Sequence, residues 1–207
     1  MLSSKINKNS ITKIVNRGTG AGGANTNKNG LKFEEKTSME QTLKDKGYIT
    51  IFMDDKKKKS YYLKFNDKNN NEEIIYLTKY GFKMYFREKF NIFTYKEPDE
   101  SYIINKNNIY KLKILEKKNQ NVNGSVEEKL KTGDFIRKEY DLMINENLDN
   151  KFNISYAFCV NKFLQDKFES NTQKYNNMKK IMKQQDIEIF YGDNDDYFDK
   201  LYNWIIG

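Results

Sequence analysis

The order of segments along the chain predicts an α/β (α+β) domain, a central mixed β-sheet flanked by helices on both faces. Two observations carry that expectation. Short runs rich in β-branched and aromatic residues follow one another closely between residues 48 and 118, as strands of a meander do. Beyond residue 125 such runs alternate with longer helical stretches, the pattern of strands joined by crossover helices.

Each element has a local reason. LKFEEKTSMEQTLKDK (31–46) lacks a breaker and is followed by Gly47, which predicts one helix with a glycine stop. YITIFM (48–53) and SYYLKF (60–65) read as strands around the exposed turn DDKKKK, and EIIYLT (73–78) as a third. KYGFKMYFREKFNIF (79–93) fits either a helix or a strand. After Pro98, the only proline, SYIIN and NIYKLKILEKK form a strand pair around NKNN, whose asparagines tolerate left-handed backbone. Ser125 and Glu128 have capping-box spacing, so a helix is expected from Val126 to about Ile144, with Gly133 a weak point. NISYAFCV (153–160) is a buried strand, 161–184 helical, IEIFYG (187–192) a short strand and 195–206 an amphipathic helix.

Composition narrows the chemistry. The 207 residues suit one domain, a core from 31 to 207 preceded by a polar, glycine-rich segment over 1–30. Aromatic residues at 14% supply core material despite a mean hydropathy of −0.92. A net charge of +8 suits a polyanion such as nucleic acid, although heavy Lys and Asn usage also follows from an AT-rich coding sequence. The absence of histidine removes imidazole catalysis and most zinc sites. A single cysteine, Cys159, allows no internal disulfide and fits a reducing compartment. With no signal-peptide core and no run of about 18 apolar residues, a soluble cytoplasmic protein without a membrane partner is expected.

The strand ending in LEKK is the one that calls for explanation. Alternation puts Tyr110, Leu112, Ile114, Glu116 and Lys118 on one face, so a face that begins apolar ends in a carboxylate and an amine. A buried ion costs several kcal/mol unless it is paired or binds a metal. Asp99 lies 17 residues before Glu116, at the start of the preceding strand, and a hairpin around NKNN would bring the two together. Two carboxylates beside a lysine make a hard oxygen site suited to Mg²⁺, with Lys118 placed to orient water and offset charge at phosphorus. A solvated Glu–Lys pair at a strand end, with Pro-Asp merely opening a turn, is the plain alternative.

PD at 98–99 and EKK at 116–118, in a strand–turn–strand followed by a helix, resemble the PD-(D/E)XK nuclease superfamily. GTGAGGANTNKNGLKFEEKT (18–37) and LEKKNQNVNGSVEEKL (115–130) look more narrowly like type II restriction endonucleases, the resemblance covering most of Arg17 to Tyr140. It implies a restriction-endonuclease-like core, Asp99 and Glu116 as Mg²⁺ ligands with the main-chain carbonyl of Lys117, and Lys118 as the catalytic lysine. Gln120 would orient the scissile phosphate. Glu34 would be the acidic residue of the first helix, contacting a metal directly or through water, with Glu35 competing for that role and Glu100 a conceivable stand-in for Asp99. The glycine-rich block would be a DNA-contacting loop using Arg17, Asn25, Thr26, Asn27 and Lys28, unless it is a plain flexible linker. Lysines and arginines of 79–89 and of the helix after Gly124 are candidates for phosphate contacts. A homodimer cutting a short palindrome in double-stranded DNA is the expectation. A repair or junction-resolving nuclease of the same fold, and a non-catalytic basic nucleic-acid-binding protein, are the rival readings.

Overall fold

The computed structural model describes residues 23–53, 60–68, 71–121, 125–146 and 148–207, with backbone alone for 23–27. Arg17 and the DDKKKK tip lie outside the described residues. Seven strands form one mixed sheet in sequence order: β1 (Ile49–Phe52), β2 (Tyr61–Asp67), β3 (Glu72–Thr78), β4 (Glu100–Lys106), β5 (Ile109–Lys118), β6 (Phe152–Val160) and β7 (Ile187–Tyr191). The first five pair antiparallel, and β5, β6 and β7 run parallel. Parallel neighbours need crossovers, which is why helices crowd the second half of the chain.

Those crossovers are α4 (Val126–Leu130) with α5 (Gly133–Asn145), then α6 (Lys162–Glu169) with α7 (Gln173–Gln184). Together with α3 (Lys79–Phe90) they cover one face of the sheet, where Phe82, Phe86, Leu130, Tyr140, Leu164 and Phe168 pack on Leu112, Ile114, Tyr156 and Phe158. The opposite face is covered by α1 (Gly23–Lys36), α2 (Glu40–Asp45) and α8 (Tyr197–Ile206), through Phe33, Met39, Leu43, Tyr197, Leu201 and Ile205. Strand β6 is buried on both sides from Tyr156 to Val160, and Cys159 is part of the second core. Among the described residues no helix is long and apolar enough to cross a membrane.

The expected first helix is two. Helix α1 begins at Gly23, so Asn25 to Lys28 are helical backbone rather than loop, and the chain turns between Lys36 and Glu40. The Thr37 hydroxyl donates to the Phe33 carbonyl at 2.6 Å, and the Thr37 carbonyl accepts from the buried Tyr197 hydroxyl at 3.0 Å. These bonds turn Met39 into the core. Gly47 does terminate α2: its φ of +90° lets Tyr48 N–H reach the Leu43 carbonyl at 3.0 Å, a Schellman closure.

Two other helices divide as well. The stretch from Val126 breaks at Lys131 and Thr132, and the Ser125 side chain makes no cap bond. Gly133 opens α5 where a Cβ would stand 2.9 Å from Phe158 Cε2, so the backbone sits directly on the sheet. The stretch 161–184 breaks around Asn171, whose φ is +53°. The ambiguous segment 79–93 is helix α3, capped where the Thr78 hydroxyl accepts from Gly81 N–H at 3.2 Å.

Candidate active site

The β4–β5 hairpin positions the site. Asn107 and Asn108, with φ of +53° and +65°, form its two-residue turn, the left-handed pair that matches strand twist. Glu100 pairs with Leu115, and continuing this register one step places Asp99 opposite Glu116. The Lys117 N–H donates to Asp99 Oδ2 at 2.7 Å, which fixes that carboxylate at the strand end. Lys118 Nζ lies 2.9 Å from Glu116 Oε2. The geometry therefore brings Asp99, Glu116 and Lys118 together.

The electrostatics of this group are dominated by Glu116, which is only 9% exposed. Burial, and then the charge of Asp99, push its carboxyl up to about 7 against the opposing pull of Lys118. Glu34, half-buried on α1, is also raised, first by burial and then by Asp99, with Lys79, Lys117 and Lys118 acting the other way. Glu35 is exposed, so α1 turns Glu34 toward the strand end. A cleft of about 460 Å³ opens beside Asp99, between α1, α2 and the adjoining ends of β3 and β4, with Glu34, Glu35, Thr78, Lys79 and Lys117 in its walls.

Glu100 has another occupation. It is 2% exposed and accepts hydrogen bonds from Tyr102 Oη at 2.7 Å, Lys117 Nζ at 2.8 Å, Tyr76 Oη at 3.2 Å and Met39 N–H at 3.3 Å. It thus belongs to the opposite sheet face and does not replace Asp99. The Lys117 side chain goes with it and also donates to the Glu34 main-chain carbonyl at 2.9 Å, tying α1 to β5. Gln120 is 6% exposed, and its backbone is clamped by Asn161, whose Oδ1 accepts from the Gln120 N–H and whose Nδ2 donates to its carbonyl. Lys28 is exposed on α1, while the side chains of Asn25, Thr26 and Asn27 lie outside the described part.

Sequence reasoning missed the residues under Glu116. Tyr156 pairs with Ile114 across β6, one alternation from Glu116, and Tyr140 reaches the same region from α5. Both are fully buried, and burial followed by the Glu116 charge holds both phenols well above their ordinary value. Both keep their protons at any ordinary pH. No local signal marks them, since Tyr156 lies in an apolar run and Tyr140 in a charged stretch of α5.

The donor set fits a small hard cation. All the groups are oxygen, and two carboxylates share a poorly solvated strand end with one ammonium. Among the described residues no three His, Cys, Asp or Glu side chains approach closely enough to enclose an ion. A pair of carboxylates is nevertheless what Mg²⁺ commonly takes from a protein, because it retains several of its waters. No protein-family model, curated protein or solved structure matches the chain.

Proposed function

We propose that the protein is a Mg²⁺-dependent endonuclease that hydrolyses phosphodiester bonds in double-stranded DNA, a type II restriction enzyme with a PD-(D/E)XK site. One observation carries this reading: the carboxylates of Asp99 and Glu116 face each other at the end of a hairpin, with the Lys118 ammonium 2.9 Å from Glu116. A pure phosphate binder gains nothing from two carboxylates, one of them buried, directed at its anion. Asp99 and Glu116 would hold the ion, joined by the Lys117 carbonyl as the resemblance implies. When bound, Mg²⁺ supplies charge neutralisation for a phosphate oxygen and acidifies a water. Lys118 orients the attacking water and offsets the charge that develops at phosphorus. Glu34 contributes a further acceptor at the edge of the cleft. A cytoplasmic homodimer, one centre for each DNA strand, is the assembly this reaction calls for.

The test is a plasmid digest with Mg²⁺ or with EDTA, followed by run-off sequencing of the ends. Discrete fragments with a common end sequence are expected only with Mg²⁺. Lys118→Ala and Asp99→Ala should abolish cleavage while retaining DNA binding. Nicking by Lys118→Ala at the wild-type rate would refute the site assignment.

A further inference from the structure

Residues 91–98 connect α3 to β4 and deliver the chain to Asp99. Along this connection Ile92 packs against the core and Thr94 is buried, whereas Phe93 is 75% and Tyr95 70% exposed. The backbone that displays the two rings is held from both sides. Glu97 pairs with Lys83 of α3 at 3.6 Å, and Lys96 pairs with Glu139 of α5 at 2.6 Å.

The helix that precedes the rings carries a line of positive charge. Lys79, Lys83 and Arg87 are exposed on α3, and their spacing of four residues puts them on one stripe. The connection doubles back along that stripe. Asn91 N–H bonds the Arg87 carbonyl at 3.1 Å, Glu97 meets Lys83, and Asp99 shares the cleft with Lys79. The stripe spans about 12 Å, at a helix rise of about 1.5 Å per residue, and the segment that carries the rings passes back along it. The connection and the Lys79 end of the stripe meet at Asp99.

We infer that this connection and α3 form a stacking platform for unpaired nucleotides next to the phosphate at Asp99 and Glu116. The polyanionic backbone follows Lys79, Lys83 and Arg87, and successive bases stack on Phe93 and Tyr95. Stacking needs an open base face, which a regular duplex conceals, so the ligand is a single strand or a locally unstacked site. An apolar protein partner would gain nothing from the cationic stripe. The inference rests on the nuclease reading only for what lies at the carboxylates.

The test is binding in EDTA of a fluorescein-labelled single-stranded 12-mer, of its duplex, and of a 12-mer carrying 2-aminopurine. Tighter binding of the single strand, with the 2-aminopurine emission quenched, is expected for the wild type. Phe93→Ala/Tyr95→Ala should weaken single-strand binding at least tenfold and abolish the quench, and Phe93→Trp/Tyr95→Trp should retain both. Lys79→Gln/Arg87→Gln should weaken binding and reduce its salt dependence. Unchanged affinity and quench in the double alanine variant would overturn the inference. So would a double alanine variant that loses self-association in sedimentation but binds the oligonucleotide as before, since the rings would then be a protein interface. Failure of cleavage with an intact stacking response would sink the nuclease reading and leave the platform standing.

Discussion

Replacing Glu116 by glutamine should stabilise the protein at pH 8 in EDTA, although the substitution destroys the proposed site. The Glu116 carboxyl titrates near 4.5 when unfolded and is pushed up to about 7 in the fold, by burial first and then by Asp99. Between those values the folded state holds a proton that the unfolded chain has released, so stability falls as pH rises through the window. The full linkage, at about 1.36 kcal/mol per pH unit, approaches roughly 3 kcal/mol. Asp99 relaxes together with Glu116, and about 2 kcal/mol is the expected share. A glutamine carries no charge at any pH and avoids the penalty. For a chain of this size, 2 kcal/mol corresponds to about 4–8 °C in Tm. Calorimetry at pH 5 and pH 8 in EDTA measures it: the variant should lead the wild type at pH 8, with the gap closing by pH 5. Ca²⁺ at about a hundredfold excess over its Kd should then raise the wild type at pH 8 by about 2.7 kcal/mol and raise the variant less. A variant less stable than wild type at pH 8 would refute the reasoning, because the Lys118 ion pair would then outweigh the repulsion.

Other perturbations test the frame around the site. Lys117→Met strands the Glu100 carboxylate in the core, so urea denaturation should show a loss of about 3–5 kcal/mol, largely recovered in Lys117→Met/Glu100→Gln. Gly81→Ala places a Cβ 2.6 Å from the Tyr61 carbonyl oxygen and should cost about 1–3 kcal/mol in thermal melts, since α3 must lift off β2. Glu127 is held down to about 2, against its burial, by hydrogen bonds from Lys167 and Lys174. That stabilisation is present above pH 4.5 and lost as pH falls toward 2, so Glu127→Gln should cost about 1 kcal/mol at pH 7 by guanidinium denaturation and nothing near pH 2.

Strands were legible in this chain because each carries its own signal, a short apolar or alternating run between polar turns. All seven lie where that signal put them, and the expected turn NKNN narrows to Asn107 and Asn108, with Asn105 and Lys106 still paired in β4. The helix breaks were hidden because their causes are distant in sequence. Thr37 turns the chain in concert with Tyr197, 160 positions away, and Gly133 starts a new helix because Phe158 lies beneath it. Segment 79–93 stayed ambiguous because Phe82, Tyr85 and Phe86 satisfy a helical face and a mixed strand equally well. The Thr78 cap decides the matter, and it acts through one hydroxyl at the end of a strand.

The same limit explains how the site could be read only in part. Strand alternation correctly separates Glu116 and Lys118 from Lys117, but it says nothing about which neighbour each charge meets. Glu116 and Lys118 emerge at the strand end beside Asp99, where the ammonium offsets only part of a doubled negative charge. Lys117, one residue away, points to the other face and is matched by Glu100, which also receives two tyrosine hydroxyls and a backbone N–H. One pair is saturated and the other is not. A saturated buried pair has no remaining demand for a ligand, and its work is to hold α1, and with it Glu34, against β5. The unsaturated group keeps a repulsive charge, which the proposed divalent cation would relieve. The chemistry of this strand end thus depends on the inequality between two neighbouring ion pairs, which the letters E, K and K in succession cannot express.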